Sequence, residues 1–442
     1  MTMKICQIFL ALFILLLDTQ QPDSLKKNYL NSFENILKEY RFELNITKNS
    51  IDGYGGELLL EEAKNAEILM FGENHGVQQI AEFSHVFYNL LSSDEPRILV
   101  TEIGPATASE VEFMVRNRNF ENFMEEGVNL HSVPFFFLEQ EVPLLYSVVE
   151  NFPDSVSSIW GIDQEFITGS PVVFNYLEKY TKTEEEKKAL KKVRRKSFIN
   201  PFLIGMGSGK ALKELQIAYS NSTSKEAKKV INHLILSHKI YKENMGGDSR
   251  WSNEARESLM MDNFEHQASV FQDSLPHLFF KFGSYHLSKG RSPTVKEALG
   301  LRVDKWAKQR DWSTLNVFVD AIDGETLNAL IGNKESLPSI EIWDSSPFKN
   351  LVYLKNATLF DLRPLKEHSE LKDMHYKIRY MVNSYDYLVL FPSATSSNFL
   401  EGTLVTHAYG IVLLVIALIV FFLLVYVIIR VVRKFKTKHT KQ

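Results

Sequence analysis

The sequence holds one cysteine among 442 residues, Cys6. It lies inside an apolar N-terminal stretch, Ile5–Leu17, preceded by Lys4 and closed by Asp18. That length suits a secretory signal better than a membrane span. Residues 1–21 are therefore expected to be a signal peptide or a short N-terminal anchor. Without that segment the chain has no thiol, which excludes disulfides, thiolate metal sites and a cysteine nucleophile. No Gly-x-Ser-x-Gly elbow occurs, so the usual serine hydrolase nucleophile is missing too. Nor is there a His-Glu-x-x-His helix of the zinc peptidase type. Internal repeats and low-complexity linkers are lacking as well.

Acidic residues are absent from the C-terminal tail, which carries Arg430, Arg433, Lys434, Lys436, Lys438 and Lys441. The net charge is −4. Setting aside those six charges and Lys4 leaves −11 on the rest of the chain. Such an acidic body argues against a nucleic-acid partner.

Charge is also absent from Ala408 to Ile429, a run of Val, Leu, Ile and Phe. As a helix it would reach roughly 33 Å, enough for a hydrocarbon core of ~30 Å. A basic flank stays on the cytoplasmic side. The expected organisation is an ectodomain over residues 22–392, a stalk over 393–407, a transmembrane helix over 408–429 and a cytoplasmic tail over 430–442. The expected topology is a single-pass membrane protein with its folded part outside the cytoplasm, where it would meet small-molecule or amphiphilic substrates.

Short apolar runs with β-branched residues read as buried strands. They are Ile68–Phe71, Ile98–Thr101, Ser158–Gly161, Leu278–Phe282, Leu315–Val319, Leu351–Leu354 with Thr358–Phe360, and Tyr387–Phe391. Most are apolar throughout, as strands covered on both faces are. Helical patterns such as Gln78–Leu91 and Thr107–Val115 lie between them. The alternation predicts an α/β fold with a largely parallel central sheet flanked by helices. From about residue 172 to 272 the chain is instead helical and highly charged, which reads as a helical insertion on the core. Within it, Lys191–Lys196 reads as a solvated helix face, and Gly205-Met206-Gly207-Ser208-Gly209 as punctuation.

Titratable residues recur just beyond the predicted strands. Gly72-Glu73-Asn74-His75-Gly76 follows the first of them and opens a helix. Glu102 follows the second, and Asp163 with Glu165 the third. Gly283-Ser284-Tyr285-His286 follows the fourth. Carboxylates and imidazoles are costly to bury singly, so a convergent set points to a catalytic or metal site. A helix over 252–264 adds Arg256 and Glu257.

These pieces, in this order, resemble the erythromycin esterase family and the wider group holding the ChaN-type and Tiki/TraB-type proteins. Glu73 and His75 fall on its first Gly-Glu…His-Gly motif, with the spacing of the ChaN-type proteins. Glu102 matches the acid ending the second strand, and Gly161-Ile162-Asp163 a Gly-x-Asp. Arg256-Glu257…Met260 resembles an Arg-Asp-x-x-Met helix, and Gly283…His286 the second histidine. Asp361-Leu362-Arg363 and Tyr385-Asp386-Tyr387 resemble the closing strands.

The resemblance implies a hydrolase acting on an ester or lactone-like bond. His75 would be the general base, oriented by Glu73 and Glu102. Arg256 and His286 would stabilise an oxyanion or place the water. Asp163, Glu257 and Tyr285 would contact substrate. The Tiki-type likeness implies an alternative, a peptidase or hydrolase holding Zn or Mn on Glu73, His75, Glu102 and His286. The ChaN likeness implies haem held by histidine and Tyr285.

Overall fold

The computed structural model describes residues 33–93, 95–126, 132–328, 333–337, 346–400 and Tyr426. Among the described residues eleven strands run in chain order as β1 (Arg41–Ile46), β2 (Ile51–Asp52), β3 (Ile68–Glu73), β4 (Arg97–Thr101), β5 (Ile159–Gly161), β6 (His277–Gly283), β7 (Thr314–Ala321), β8 (Gly324–Asn328), β9 (Asn333–Leu337), β10 (Ala357–Asp361) and β11 (Tyr387–Phe391). The chain divides into two compact units. One holds the described residues up to Asn74 with Phe282–Thr326 and Glu335–Thr395; the other holds His75–Lys281, Leu327–Lys334 and the described residues from Ser396 on.

In the first unit β11, β7 and β3 are parallel neighbours, with Tyr387 opposite Val317 and Glu73 opposite Val319. The other side is antiparallel, β11 to β10, β10 to β1 and β1 to β2. β3, β10 and β11 are buried along their whole length, as the apolar runs require. One face packs against the helix Tyr376–Ser384, with Phe318, Phe360, Leu388 and Leu390 meeting Ile378, Met381 and Val382.

In the second unit β5, β4 and β6 are parallel, β4 in the middle. Five helices then fill the interval between β5 and β6: Ser170–Glu178, Glu184–Ile199, Lys210–Ala218, Lys225–Gly246 and Ser249–Ser269. They build a separate apolar cluster around Leu177, Val193, Ile204, Leu215, Ile231 and Leu234. This is the helical region expected over 172–272. Its charged appearance is surface chemistry: Glu184–Ile199 starts in a capping box between Thr183 and Glu186 and buries one stripe only.

Three expectations change. No helix among the described residues is long and apolar enough to cross a membrane. The fold described is thus an α/β core with a helical region and without a transmembrane helix. The run expected to form one, Ala408–Ile429, falls outside the described residues apart from Tyr426, as does the expected signal segment at 1–21. Residues 393–400, expected to begin a stalk, are packed chain instead. Ala394 pairs with Gly324, Ser396 with Val77 and Phe399 with Leu138. Ser396 and Ser397 are buried. Leu351–Leu354 is also no strand: it leaves a 3-10 turn at Leu351 and ends with Leu354 in solvent.

Candidate functional site

The site begins with strand register. β4 and β5 are parallel with Thr101 opposite Gly161. The residues that follow these two therefore emerge together at one edge. The Asp163 amide donates to the Ile103 carbonyl at 3.0 Å, which sets Asp163 alongside Glu102. Both carboxylates are buried. Two buried negative charges side by side require a cation.

Arg256 supplies it. The helix Ser249–Ser269 is capped by the Asp248 side chain on the Trp251 amide. Two of its side chains, seven residues apart, reach the end of β5. Asn263 Nδ2 donates to the Ile162 carbonyl at 2.7 Å. Arg256 Nε donates to Asp163 Oδ1 at 2.9 Å, and its Nη2 bonds both Asp163 Oδ2 and Glu102 Oε1, the latter at 2.7 Å. This is a bidentate, charge-assisted pair with a second carboxylate attached. Burial works against the Arg256 charge, but Asp163 and Glu102 outweigh it and hold its pKa well above the ordinary value.

The other Glu102 oxygen faces the imidazole. His75 Nε2 lies 3.4 Å from Glu102 Oε2. The backbone beside His75 is fixed by Gly76, whose φ of +78° suits glycine. The Gly76 carbonyl accepts from the Leu327 amide at 3.0 Å and the Ser397 amide at 2.9 Å. The ring itself lies against Phe135, centroids 3.9 Å apart and planes 21° apart. Phe135 occupies the left-handed region at φ +67°, a conformation a bulky residue seldom takes.

Around this chain the second unit adds three polar groups. Glu165 is buried at the start of the helix Pro105–Arg116, accepting from the Ala106 amide at 2.9 Å and the Thr107 hydroxyl at 2.6 Å. Burial pushes its pKa up to about 7 despite those two bonds. His233, on the helix Lys225–Gly246, donates from Nε2 to the Asp163 carbonyl at 3.1 Å. Burial lowers its pKa to about 4, and Lys229 pushes in the same direction. His233 and Asn263 line a cleft of about 550 Å³ together with Lys225, Lys228, Lys229, Asn232 and Leu236. Burial also raises the pKa of Tyr241, as does the nearby Asp163 carboxylate.

The remaining expected residues belong to the first unit. The Ser284 amide donates to the Glu73 carbonyl at 3.1 Å, so the turn after β6 is tied to the end of β3. Glu73 is buried there. Tyr385 explains Gly72: its hydroxyl donates to the Ser284 carbonyl, and a Cβ at Gly72 would come within 3.0 Å of that oxygen. His286 accepts the Gly300 amide on its carbonyl at 2.8 Å and sets its ring edge-on to Phe282. Tyr285 is exposed and edge-on to Tyr380.

Sequence order therefore brings His75, Glu102, Asp163 and Arg256 together in the second unit, while Glu73, Tyr285 and His286 lie in the first. Glu257 is buried in the body of its helix. Asp361 and Arg363, which resembled a motif, form a local bidentate pair at 2.9 and 2.8 Å. Asp386 ties down Lys289 at 2.7 Å and Lys366 at 2.9 Å. Among the described residues no group of three or more His, Cys, Asp or Glu is placed to hold a metal ion. Of the four residues expected to hold Zn or Mn, His75 and Glu102 lie in the second unit and Glu73 and His286 in the first. Three residues were not expected from sequence. Phe135 sits in an aromatic run, Pro134-Phe135-Phe136-Phe137. Asp320 is a further buried acid near a strand end, on β7, accepting from Asn74 Nδ2 at 3.1 Å. His233 carried no motif at all.

No family model matches the sequence, and no curated protein does. Solved structures do. A Bacillus cereus protein overlays with a TM-score of 0.57 at 14% identity, covering 84% of this chain and 99% of its own. A protein described as a succinoglycan biosynthesis protein overlays with a TM-score of 0.57 at 13% identity, covering 86% of this chain and 100% of its own. A histidine mutant of the erythromycin esterase EreC, in its open conformation, gives a TM-score of 0.53 at 12% identity over 82% of this chain and 99% of its own. Haem-binding ChaN of Campylobacter jejuni overlays with a TM-score of only 0.29, at 12% identity. The chain has the fold seen in the erythromycin esterase EreC.

Proposed function

We propose that the chain is a hydrolase that cleaves an ester or lactone-like bond with water activated by His75. The carrying observation is the unbroken series His75, Glu102, Arg256, Asp163. It begins at a partly exposed imidazole and ends in buried charge. Imidazole is the side chain whose ordinary titration spans neutrality, so it can take a proton from water and return it to a leaving group. In the first step His75 removes a proton as the water oxygen attacks the carbonyl carbon. In the second the tetrahedral intermediate collapses, and the imidazolium protonates the departing alkoxide. No protein nucleophile takes part.

Glu102 orients the imidazole and stabilises its charged form. Arg256 is a positioning residue in this reading, because its Nε and Nη2 bond Asp163 and Glu102. Phe135 holds the ring in plane and shields one face from water. The ester as substrate follows the fold relative EreC, an erythromycin esterase.

The test is hydrolysis of a panel of aryl esters and macrolactones by the wild-type chain, His75→Ala and Glu102→Gln. A general base contributes about 10²–10⁴-fold. His75→Ala is expected to lose at least about a hundredfold in kcat with its circular dichroism unchanged. Full activity in that variant would sink the reading.

A further inference from the structure

The end of the helix Glu184–Ile199 and the turn after it expose apolar side chains in an unusual density. Phe198 is 76% exposed, Ile199 83%, Phe202 43% and Met206 48%. Single exposed apolar residues need no explanation, but four within nine positions do.

The exposure is built in. The same segment sends Ile204 into the apolar cluster of the helical region, fully buried beside Leu190, Val193 and Leu212. Its carbonyl accepts from His238 Nδ1 at 2.9 Å. Gly205 sits where a Cβ would come within 2.1 Å of Ile167. The turn is closed by bonds from the Gly205 and Met206 amides to the Phe202 carbonyl, at 3.0 and 2.7 Å. A pinned turn thus presents Phe198, Ile199, Phe202 and Met206 outward while its other side is anchored.

The chemistry around this tip is one-sided. Residues 187–213 contain nine Lys or Arg and no Asp or Glu. Some of these cations are spent within the protein. Lys187 pairs with Glu184, Arg194 with Glu178, and Lys192 and Lys196 share Glu214. Lys191, Arg195, Lys210 and Lys213 make no ion pair among the described residues. Aromatic and aliphatic side chains at the crest, with cations on its flanks, match the layering of a lipid surface. The apolar groups enter the acyl boundary and the cations meet anionic headgroups. A second copy of this chain would bring like charge against like charge.

We propose that the tip formed by Phe198, Ile199, Phe202 and Met206, flanked by Lys191, Arg195, Lys210 and Lys213, inserts into an anionic lipid surface. This does not depend on the hydrolase reading. The contact is peripheral and reversible, and it would hold the helical region of the second unit against the bilayer.

The test places an environment-sensitive fluorophore on the tip of the full-length chain, at Met206→Cys in a Cys6→Ser background. Lys355→Cys, exposed on the first unit, carries the same label as a control. Vesicles of phosphatidylcholine alone are compared with vesicles containing about 30% phosphatidylserine. The label at residue 206 is expected to shift to the blue on anionic vesicles only, and the control label not to shift. Reversing Lys191, Arg195 and Lys210 to Glu should raise the half-saturating lipid concentration at least about tenfold. Phe198→Ser with Phe202→Ser should abolish the shift with the fold unchanged, since both side chains are exposed. The proposal is overturned if residue 206 shows no shift on anionic vesicles. It is also overturned if the charge-reversed chain binds as well as the parent, or if the shift appears without vesicles as protein concentration rises, which would mark a second copy as the occupant.

Discussion

Arg256 Nη2 lies 2.7 Å from Glu102 Oε1, and that bond leaves Glu102 Oε2 as the oxygen that faces His75. One guanidinium therefore sets the orientation of a carboxylate, and the carboxylate sets the imidazole. Removing Arg256 leaves Glu102 and Asp163 adjacent and buried without the cation they share. Breaking a buried pair by deleting one partner costs about 3–5 kcal/mol. Arg256 retains some contact with solvent, so the low end applies: Arg256→Ala should lose about 3 kcal/mol in urea unfolding. Adding Asp163→Asn to it should recover part of that loss, because one of the two stranded charges is then gone. A single variant within about 1 kcal/mol of wild type would mean that the carboxylates are satisfied by other means.

Phe135 makes a separable contribution. Its φ of +67° suits Asn far better than Phe, while only the aromatic ring can stack on His75. Phe135→Asn should thus leave thermal stability close to that of Phe135→Ala or above it, yet reduce kcat together with Phe135→Ala. Equal activity in both variants and wild type would show that the stack has no part in setting the imidazole.

Glu165 gives the stability of this protein a pH dependence of defined sign. Burial is the largest influence and pushes its pKa up to about 7, from 4.5 for the ordinary side chain. The native state therefore holds this proton more tightly than the unfolded chain. The associated stability is fully present below about pH 4.5 and is lost as pH rises through about 7. At full ionisation the loss is roughly 3 kcal/mol. Glu165→Gln keeps the shape and a donor but does not titrate. The difference in urea midpoint between wild type and Glu165→Gln should change across pH 4.5–7 and be flat below it. A difference that stays constant over that range would show that Glu165 ionises freely in the native protein.

His233 has the opposite sign. Its pKa is lowered to about 4 by burial, which outweighs the opposing pull of Asp163; Lys229 adds a smaller push in the same direction as burial. The unfolded chain takes up the proton more readily, so the associated stability is present above about 6.5 and is lost as pH falls through about 4. In a histidine-resolved NMR titration His233 should remain neutral to about pH 5. Lys229→Ala should move its midpoint upward by less than the full displacement, because burial persists. A midpoint near 6.5 in the parent chain would contradict the burial of this ring.

How much of this could be read from the sequence follows from what sets each feature. The strands leading to Glu73, Glu102 and Asp163 are buried throughout because both faces are covered, and the apolar runs inside them are visible in one dimension. β1 was not visible: Arg41–Ile46 buries only Leu44 among charged neighbours. The run Leu351–Leu354 misled because apolar composition does not say which side faces solvent. Arg256 could be seen as a charged residue in a helix, but its partner Asp163 stands 93 positions away, and no local spacing reports that. The same holds for Phe135, whose role depends on a backbone angle in an irregular segment. His75 was legible because two glycines bracket its motif.

The second of those glycines carries the sharpest structural test. Gly76 combines φ +78° with a close approach: a Cβ there would lie 2.1 Å from the Leu327 carbonyl oxygen. Left-handed backbone costs a non-glycine residue about 1–2 kcal/mol. The clash is with main chain, so no side-chain rotation relieves it. Gly76→Ala should therefore cost at least about 2 kcal/mol and displace the backbone that accepts the Leu327 and Ser397 amides. His75 is the adjacent residue, so its imidazole would move with that backbone. The variant should lose activity even in preparations that remain folded, and its His75 resonance should shift. Gly72→Ala meets the Tyr385 side chain near 3.0 Å and the Ser284 Cα at 3.3 Å, and should be milder. If Gly76→Ala were as stable and active as wild type, the tight turn that aims His75 at Glu102 would not be required.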